Sequence, residues 1–207
     1  MSTGTRKRLS RDERREVIEL AASEVFAERG YNGASIDEIA RRSSVSPPVV
    51  YDHFDSKLDL HRALLERHYA ELRELWSGHM AGDAPLERRL ARGIDAWFAY
   101  VEAHPFAGRL LFRDTSGNPE VEAVRRSVAD ASRDQLLPLL AAEPGIEQAP
   151  GPELAWEVFR AILQGLALWW YEHPEVPREL VVTTAMNGVW MGFERVMRGE
   201  VWRPDGD

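Results

Sequence analysis

The chain has 207 residues, 44% of them hydrophobic and 29% charged, with no cysteine and a formal net charge of −8. That length admits one large domain or a small one joined to a larger one, with about 70% of the unfolded surface removed from water, so a core can form without staples. Lack of cysteine excludes disulfides, thiolate metal sites and cysteine nucleophiles, and fits a reducing cytoplasm. No apolar run follows the basic residues of Met1 to Arg15, so no secretory signal is expected, and Leu136 to Ala142, the longest apolar stretch, is far short of the about 18 residues a bilayer requires.

Periodicity is helical throughout and strand alternation is not sustained, which predicts an all-α chain of about nine helices. Ser10 with Glu13 forms a capping box, Val17, Leu20, Ala21 and Val25 then recur at helical spacing, and Gly30 supplies a stop, giving a first helix over 11–29. A second box, Ser35 with Glu38, opens a short helix with Ile36, Ile39 and Ala40 inward, ending near Ser43. Pro47-Pro48 begins a third helix reaching Phe54, because proline's fixed φ and missing N–H are harmless in a first turn. Ser56 caps a fourth that runs to about Trp76. Breaks at 78–85, 104–105, 116–119, 144–152 and 173–177 then separate helices over 86–103, 106–113, 120–141, 153–172 and 178–198.

Charge and bulk divide the chain. Met1 to Tyr69 carries 12 basic against 12 acidic residues, so the remaining 138 residues hold 14 against 22 and carry the whole −8; all seven tryptophans also lie beyond residue 70. Met1 to Arg15 has a local charge of +4, from six basic and two acidic residues, and reads either as a phosphate-tracking arm or as a solvated tail. Two short helices joined by a tight turn match the arrangement in which one helix props another in a DNA major groove. With Val50 and Phe54 inward, Ser46, Pro47, Val49, Tyr51 and His53 face outward or lie at the flank, and Lys57 opens the next helix where a phosphate can reach it.

The run Ser35-Ile-Asp-Glu-Ile-Ala-Arg, then Val45-Ser46, then Val50-Tyr51-Asp52-His53-Phe54-Asp55-Ser56-Lys57 closely resembles the N-terminal region of tetracycline-repressor (TetR) family transcription regulators, over roughly residues 11–65. The resemblance implies a homodimeric, ligand-responsive repressor that binds double-stranded DNA, with Ser35, Ser46, Pro47, Val49, Tyr51, His53 and Lys57 at positions that approach it and the last two helices forming the dimer contact. Arg42, at the end of the second helix, is added for phosphate contact, although cations suit a helix C-terminus in any case. The expected division is a DNA-binding domain over 1–55 and a ligand-binding and dimerisation domain over 56–207. Three features depart from the family pattern. Ser44 stands where glycine is frequent, so the turn either avoids positive φ or is strained. Val49 replaces a hydroxyl residue, and Pro47-Pro48 removes two N–H donors, so base readout leans on Ser46, Tyr51, apolar contacts and DNA shape.

In the second half, Leu86, Leu90, Ile94, Trp97 and Val101 form an inner stripe. Aromatic stripes are usually plain core, but the resemblance implies a cavity among the fifth to eighth helices, with Trp97, Val101, Phe106, Phe112, Trp156 and Phe159 as its candidate lining, and because few charges fall on those stripes a small apolar or aromatic effector is expected. Small residues at helical steps, Ala161 and Gly165 and then Ala185, Gly188 and Gly192, flanked by Leu168, Trp169 and Val189, mark either a two-fold interface or a close contact inside one chain. His61 and His68 lie seven apart but no third ligand follows, so no metal and no cofactor is expected, and no membrane partner. Catalytic motifs are missing, which lowers the prior for an enzyme without excluding one. A helical binding protein that no longer reads DNA, or a helical-bundle enzyme, are the competing readings.

Overall fold

Capping chemistry sets the helix starts in the computed structural model, which describes residues 9–112, 117–142, 152–198 and 200. Ser10 and Glu13 bond reciprocally, Glu13 N–H donating to the serine hydroxyl at 3.1 Å and Ser10 N–H to the glutamate at 2.7 Å, and α1 (Arg11–Gly33) begins there. Gly30 adopts φ 67°, so the last turn of α1 veers off and Ala34 N–H returns to the Gly30 carbonyl at 3.2 Å. Next come α2 (Ile36–Arg42), α3 (Pro47–Tyr51) and α4 (Lys57–Met80), the last capped by Ser56, whose hydroxyl accepts from Asp59 N–H at 3.0 Å. They are followed by α5 (Leu86–Ala103), α6 (Ala107–Phe112), α7 (Pro119–Ala141), α8 (Pro152–Glu172) and α9 (Arg178–Met197). The described residues thus form nine helices and no strand, as the periodicity predicts.

Three local expectations differ. The buried stripe of α1 is Ile18, Ala21, Ala22, Val25 and Phe26, which are spaced i, i+3, i+4, i+7, i+8; Leu20, read as inward, is 62% exposed, and Val17 is at the surface too. Helix α3 is only five residues long, although Asp52, His53 and Phe54 still bond back to Pro48 and Val50, so Val50 and Phe54 do reach the core. Helix α4 runs one turn past Trp76, to Met80.

Helix α4 spans both halves. Its first turns pack on α1, and its later turns lie along α5 and α7; α8 and α9 pair with each other, and α9 covers α5. Short α6 touches α1 as well as α8. Buried apolar residues form one contiguous cluster from Ile18 on α1 to Val189 on α9, so the two expected domains share a continuous core. No helix among the described residues is long and apolar enough to cross a membrane.

Candidate nucleic-acid interface and ligand cavity

Ser35 caps α2 by accepting from Glu38 N–H at 3.2 Å, but the reciprocal half of the expected box is absent. The Glu38 carboxylate instead takes Arg41 at 2.7 Å and Arg42 at 3.0 Å, and those guanidinium groups hold its pKa down to about 2. The turn after α2 is a Schellman closure: Val45 N–H donates to Ala40 O at 2.9 Å and Ser44 N–H to Arg41 O at 3.2 Å. Such a closure places its central residue in the left-handed region, and Ser44 sits there at φ 56° without being glycine. The strained alternative is the one the chain adopts, and it fixes the angle between α2 and α3.

At the start of α3, Ser46 is exposed and its hydroxyl makes no cap bond, while Pro47 fills the first helical position. Tyr51 projects from the last turn with 52% of its surface open. Val49 and His53 are half-buried at the flanks. Burial, then Arg11, Arg15 and Arg14, push the His53 pKa below its ordinary value, which keeps the ring neutral near pH 7 and marks a positive local field. Arg15 anchors this corner, its guanidinium 4.4 Å from the centroid of the Phe54 ring. The expected edge of Ser46, Pro47 and Tyr51 therefore exists as one small surface beside the arginines that begin α1. Arg6, Lys7 and Arg8 of the expected arm lie outside the described residues.

Two expected phosphate contacts are otherwise engaged. The Lys57 ammonium donates to the carbonyls of Tyr31 at 2.9 Å and Ala34 at 3.0 Å and lies 4.4 Å from the centroid of the Tyr31 ring, so it ties the start of α4 to the end of α1. Arg42 forms a fork to Glu28 at 2.6 and 2.9 Å and also meets Glu38 at 3.0 Å, a charge already matched by carboxylates. The Lys57 carbonyl partners and the Glu28 partner of Arg42 come from α1 and the loop after it, which sequence spacing does not reveal.

The second half encloses a cavity of about 320 Å³ between α4, α5, α6, α7 and α8. Of the six residues expected to line it, Trp97, Phe112, Trp156 and Phe159 do. Val101 and Phe106 do not: Val101 is buried beneath Gly108, 3.8 Å from the place a Cβ would occupy there, and Phe106 precedes α6 on its far side from the cavity lining. The sequence missed Trp76 from α4 and the polar rim, where Arg125, Arg126 and Arg133 of α7 and Arg160 of α8 stand with Glu122, Asp130 and Glu157. Arg126 and Arg133 are seven residues apart, one helical face, and that spacing is the signal that was available. The cavity thus joins an aromatic floor to a polar rim in which Arg125 pairs with Glu122, Arg133 with Asp130 and Arg160 with Glu157.

The small-residue stripe divides in two. Ala185 and Val189 are buried in the protomer's own core, whereas Gly188 is exposed and a Cβ there would meet Ile162 of α8 at 3.5 Å. Ala161, Gly165, Trp169 and Gly192 are exposed, with Leu168 half-buried beside them. They share the outer face of α8 and α9 with Leu154, Val158, Leu180 and Met191, each at least 55% exposed. Apolar side chains gathered at that density on two adjacent helices are uncommon on a surface that stays in water.

A polar network that the sequence did not announce crosses the junction of the halves. Glu19 of α1 is buried and bonds Arg15 and Arg67, each at 2.8 Å; Arg67 also bonds Glu71 at 3.1 Å, and Glu71 accepts from the Tyr100 hydroxyl at 2.5 Å. Because that hydroxyl proton goes to Glu71, its oxygen accepts from His68 Nδ1, 2.6 Å away. His61, the other histidine weighed as a ligand, is packed edge-on against Phe26 and Tyr31. No group of three metal-binding side chains occurs among the described residues.

Residues 18–64 match the family model described as bacterial regulatory proteins, tetR family. The whole chain is similar to the HTH-type transcriptional activator FasR of Mycolicibacterium smegmatis, with 32% identity over 190 residues that cover 91% of this chain and 87% of the relative. Among solved structures, a TetR-like transcriptional regulator from Rhodococcus sp. RHA1 superposes with a TM-score of 0.73 at 22% identity, covering 90% of this chain and 99% of that one. The transcriptional regulator FadR from Bacillus subtilis, in complex with stearoyl-CoA, superposes with a TM-score of 0.72 at 18% identity over the same shares.

Proposed function

The chain belongs to the tetR family of bacterial regulatory proteins and is a transcriptional regulator; from that premise we propose that it binds a palindromic DNA site as a homodimer and is controlled by an amphipathic ligand. Two copies of α3 held about 34–36 Å apart fit successive major grooves on one face of the duplex. Ser46 and Tyr51 supply the polar edge, and the arginines at the start of α1 meet the phosphates. The outward face of α8 and α9 serves as the two-fold contact, centred on Gly165, Trp169 and Met191, where open backbone and large apolar side chains alternate.

The observation that carries this reading is the path of α4. Its first residue, Lys57, is fastened to the DNA-binding half through Tyr31 and Ala34, and Trp76 near its far end is a wall of the cavity. A ligand that prefers one placement of α4 shifts the population toward one spacing of the two α3 helices, and by linkage DNA changes ligand affinity by the same factor. Short α6 adds a second connection, since Leu111 and Phe112 line the cavity while the same helix packs on α1.

The arginine rim extends the expected apolar effector to one with an acyl-like tail and an anionic group, consistent with the stearoyl-CoA bound by the B. subtilis FadR structure. The M. smegmatis relative is an activator, so repression by this chain rests on the family resemblance alone. Selecting bound duplexes from a random pool, with and without an acyl-CoA, tests the proposal. A palindrome recovered by the wild type and lost in Tyr51→Ala supports it; no preference for any duplex, with or without the acyl-CoA, refutes it.

A further inference from the structure

We infer that Gly93 sets the depth of the ligand cavity, and with it the length of the apolar tail the protein accepts, by holding Trp76 back against α5. This rests on the reading of that cavity as the effector site.

Gly93 is in the interior of α5 and fully enclosed. Its backbone is helical, so no turn or positive φ calls for glycine, and glycine there is less favourable than alanine because it loses more freedom on folding. What requires it is the neighbour. A Cβ at this position would lie 2.3 Å from Trp76 Cζ3 and 2.8 Å from Cε3. Other helical glycines do not share this: at Gly78, Gly165 and Gly192 a Cβ meets nothing, at Gly108 and Gly188 it makes ordinary contact at 3.8 and 3.5 Å, and at Gly33 it comes to 3.3 Å from the Cβ of Arg29, an aliphatic neighbour. Only at Gly93 does the missing side chain make room for an aromatic ring.

The direction of the ring's escape decides the consequence. Behind Trp76 stands the α5 backbone. In front lie the cavity it lines and Phe159, edge-to-face at 5.2 Å. To restore ordinary contact from 2.3 Å to at least 3.4 Å, the indole must advance by about an ångström toward the cavity, at the end formed by α4, α5 and α8. Arg125, Arg126 and Arg133 of the rim stand on α7, not on the three helices that frame Trp76, so that part of the rim stays in place while the floor rises. A tail that reaches the floor in the wild type then leaves methylenes unburied, and two of them correspond to about tenfold in Kd.

The test titrates coenzyme A thioesters of linear acids, from octanoyl to stearoyl, into the wild-type dimer and its variants by calorimetry. In Gly93→Ala the longest tails are expected to weaken about tenfold relative to the shortest, so that the preferred length falls. Trp76→Leu, which lowers the floor, is expected to move it the other way, and Gly93→Ala combined with Trp76→Phe to return it toward the wild type. An unchanged length profile in Gly93→Ala, or one unmoved by Trp76→Leu, overturns the inference. If the wild type binds none of the thioesters, the effector reading falls by itself, and the crystal structure of ligand-free Gly93→Ala still judges Gly93: the Trp76 ring advanced into a smaller cavity upholds its role, and α4 and α5 spread apart around an unchanged cavity refutes it.

Discussion

Lowering the pH from 7 to 5 should destabilise this protein through His68 in particular. The imidazole is buried, and burial first of all pulls its pKa from 6.5 to about 4; His104 and Arg67 push the same way and Glu71 opposes them. With the Tyr100 hydroxyl committed to Glu71, its oxygen receives Nδ1–H of the neutral ring. The unfolded chain therefore takes up the proton near pH 6.5, before the folded one does. Stability from this group is complete above that pH, falls as the pH drops from 6.5 toward 4, and is level again below both values. Between pH 7 and 5 the two titrations differ by about 1.5 decades, or about 2 kcal/mol. His68→Asn keeps a donor near the Tyr100 oxygen and does not titrate. Urea unfolding at both pH values, at one fixed protein concentration because the proposed dimer would link folding to assembly, should show the wild type losing about 2 kcal/mol more than the variant. Equal losses in the two proteins would show that the ring does not resist protonation, and the account of its burial would be wrong.

Three other outcomes follow from single positions. Ser44→Gly should stabilise the protein by about 1 kcal/mol, raising Tm by about 2–4 °C, because glycine enters the φ 56° position without the Cβ penalty; a Tm that fails to rise contradicts the strain. Lys57→Met keeps the aliphatic stem but loses both carbonyl contacts, so chemical denaturation should report a loss of about 2 kcal/mol. The slope of DNA affinity against salt should stay as it was, whereas a decrease of about one unit would return Lys57 to phosphate contact. Met191→Glu places a charge on the outer face of α9, where the methionine is 60% exposed. Sedimentation should find it monomeric with unchanged helicity at concentrations where the wild type is a dimer, and a dimer in the variant removes that face from the interface.

What the sequence disclosed and what it withheld divide along the range of the interactions. Capping is local: the Ser10, Ser35 and Ser56 hydroxyls act within three residues, so those helix starts were legible. The Ser46–Tyr51 edge was legible for the same reason, since period and turn alone decide which side of a short helix faces out. The intrachain engagement of Lys57 and Arg42 was less legible: Arg42 meets Glu38 at i−4, but its partner Glu28 lies 14 residues away and the Lys57 carbonyl partners 23 and 26 away, and nothing in a linear pattern says which cation will be recruited there. The cavity behaved likewise: it was expected from the family resemblance, four of the large aromatics named for it do line it, and the rim arginines, which meet only where α7 and α8 pack together, were not anticipated. Val101 and Phe106 share the composition of a lining residue and differ from one only in position.

The same distinction bears on how an acidic chain can engage an acidic polymer. A net charge of −8 is an average, and its acidic excess falls wholly after residue 69. Even within the balanced first part, charge is sorted by contact. Glu28 and Glu38 neutralise Arg42 and Arg41 on the side of α2 that supports α3, and Glu19 holds Arg67 and Arg15 at the junction with the second half. Structural ion pairs thus consume carboxylates away from the α3 edge, whereas at His53 burial, then Arg11, Arg15 and Arg14, lower the pKa and Asp52 opposes them with the smallest effect, so the net influence at that corner is positive although Arg15 also meets Glu19. Exposed charges act over about a Debye length, close to 8–10 Å at physiological salt. On the proposed function, a duplex approaching α3 meets that corner before the acidic second half, so a net charge of −8 does not argue against reading by the edge of Ser46 and Tyr51.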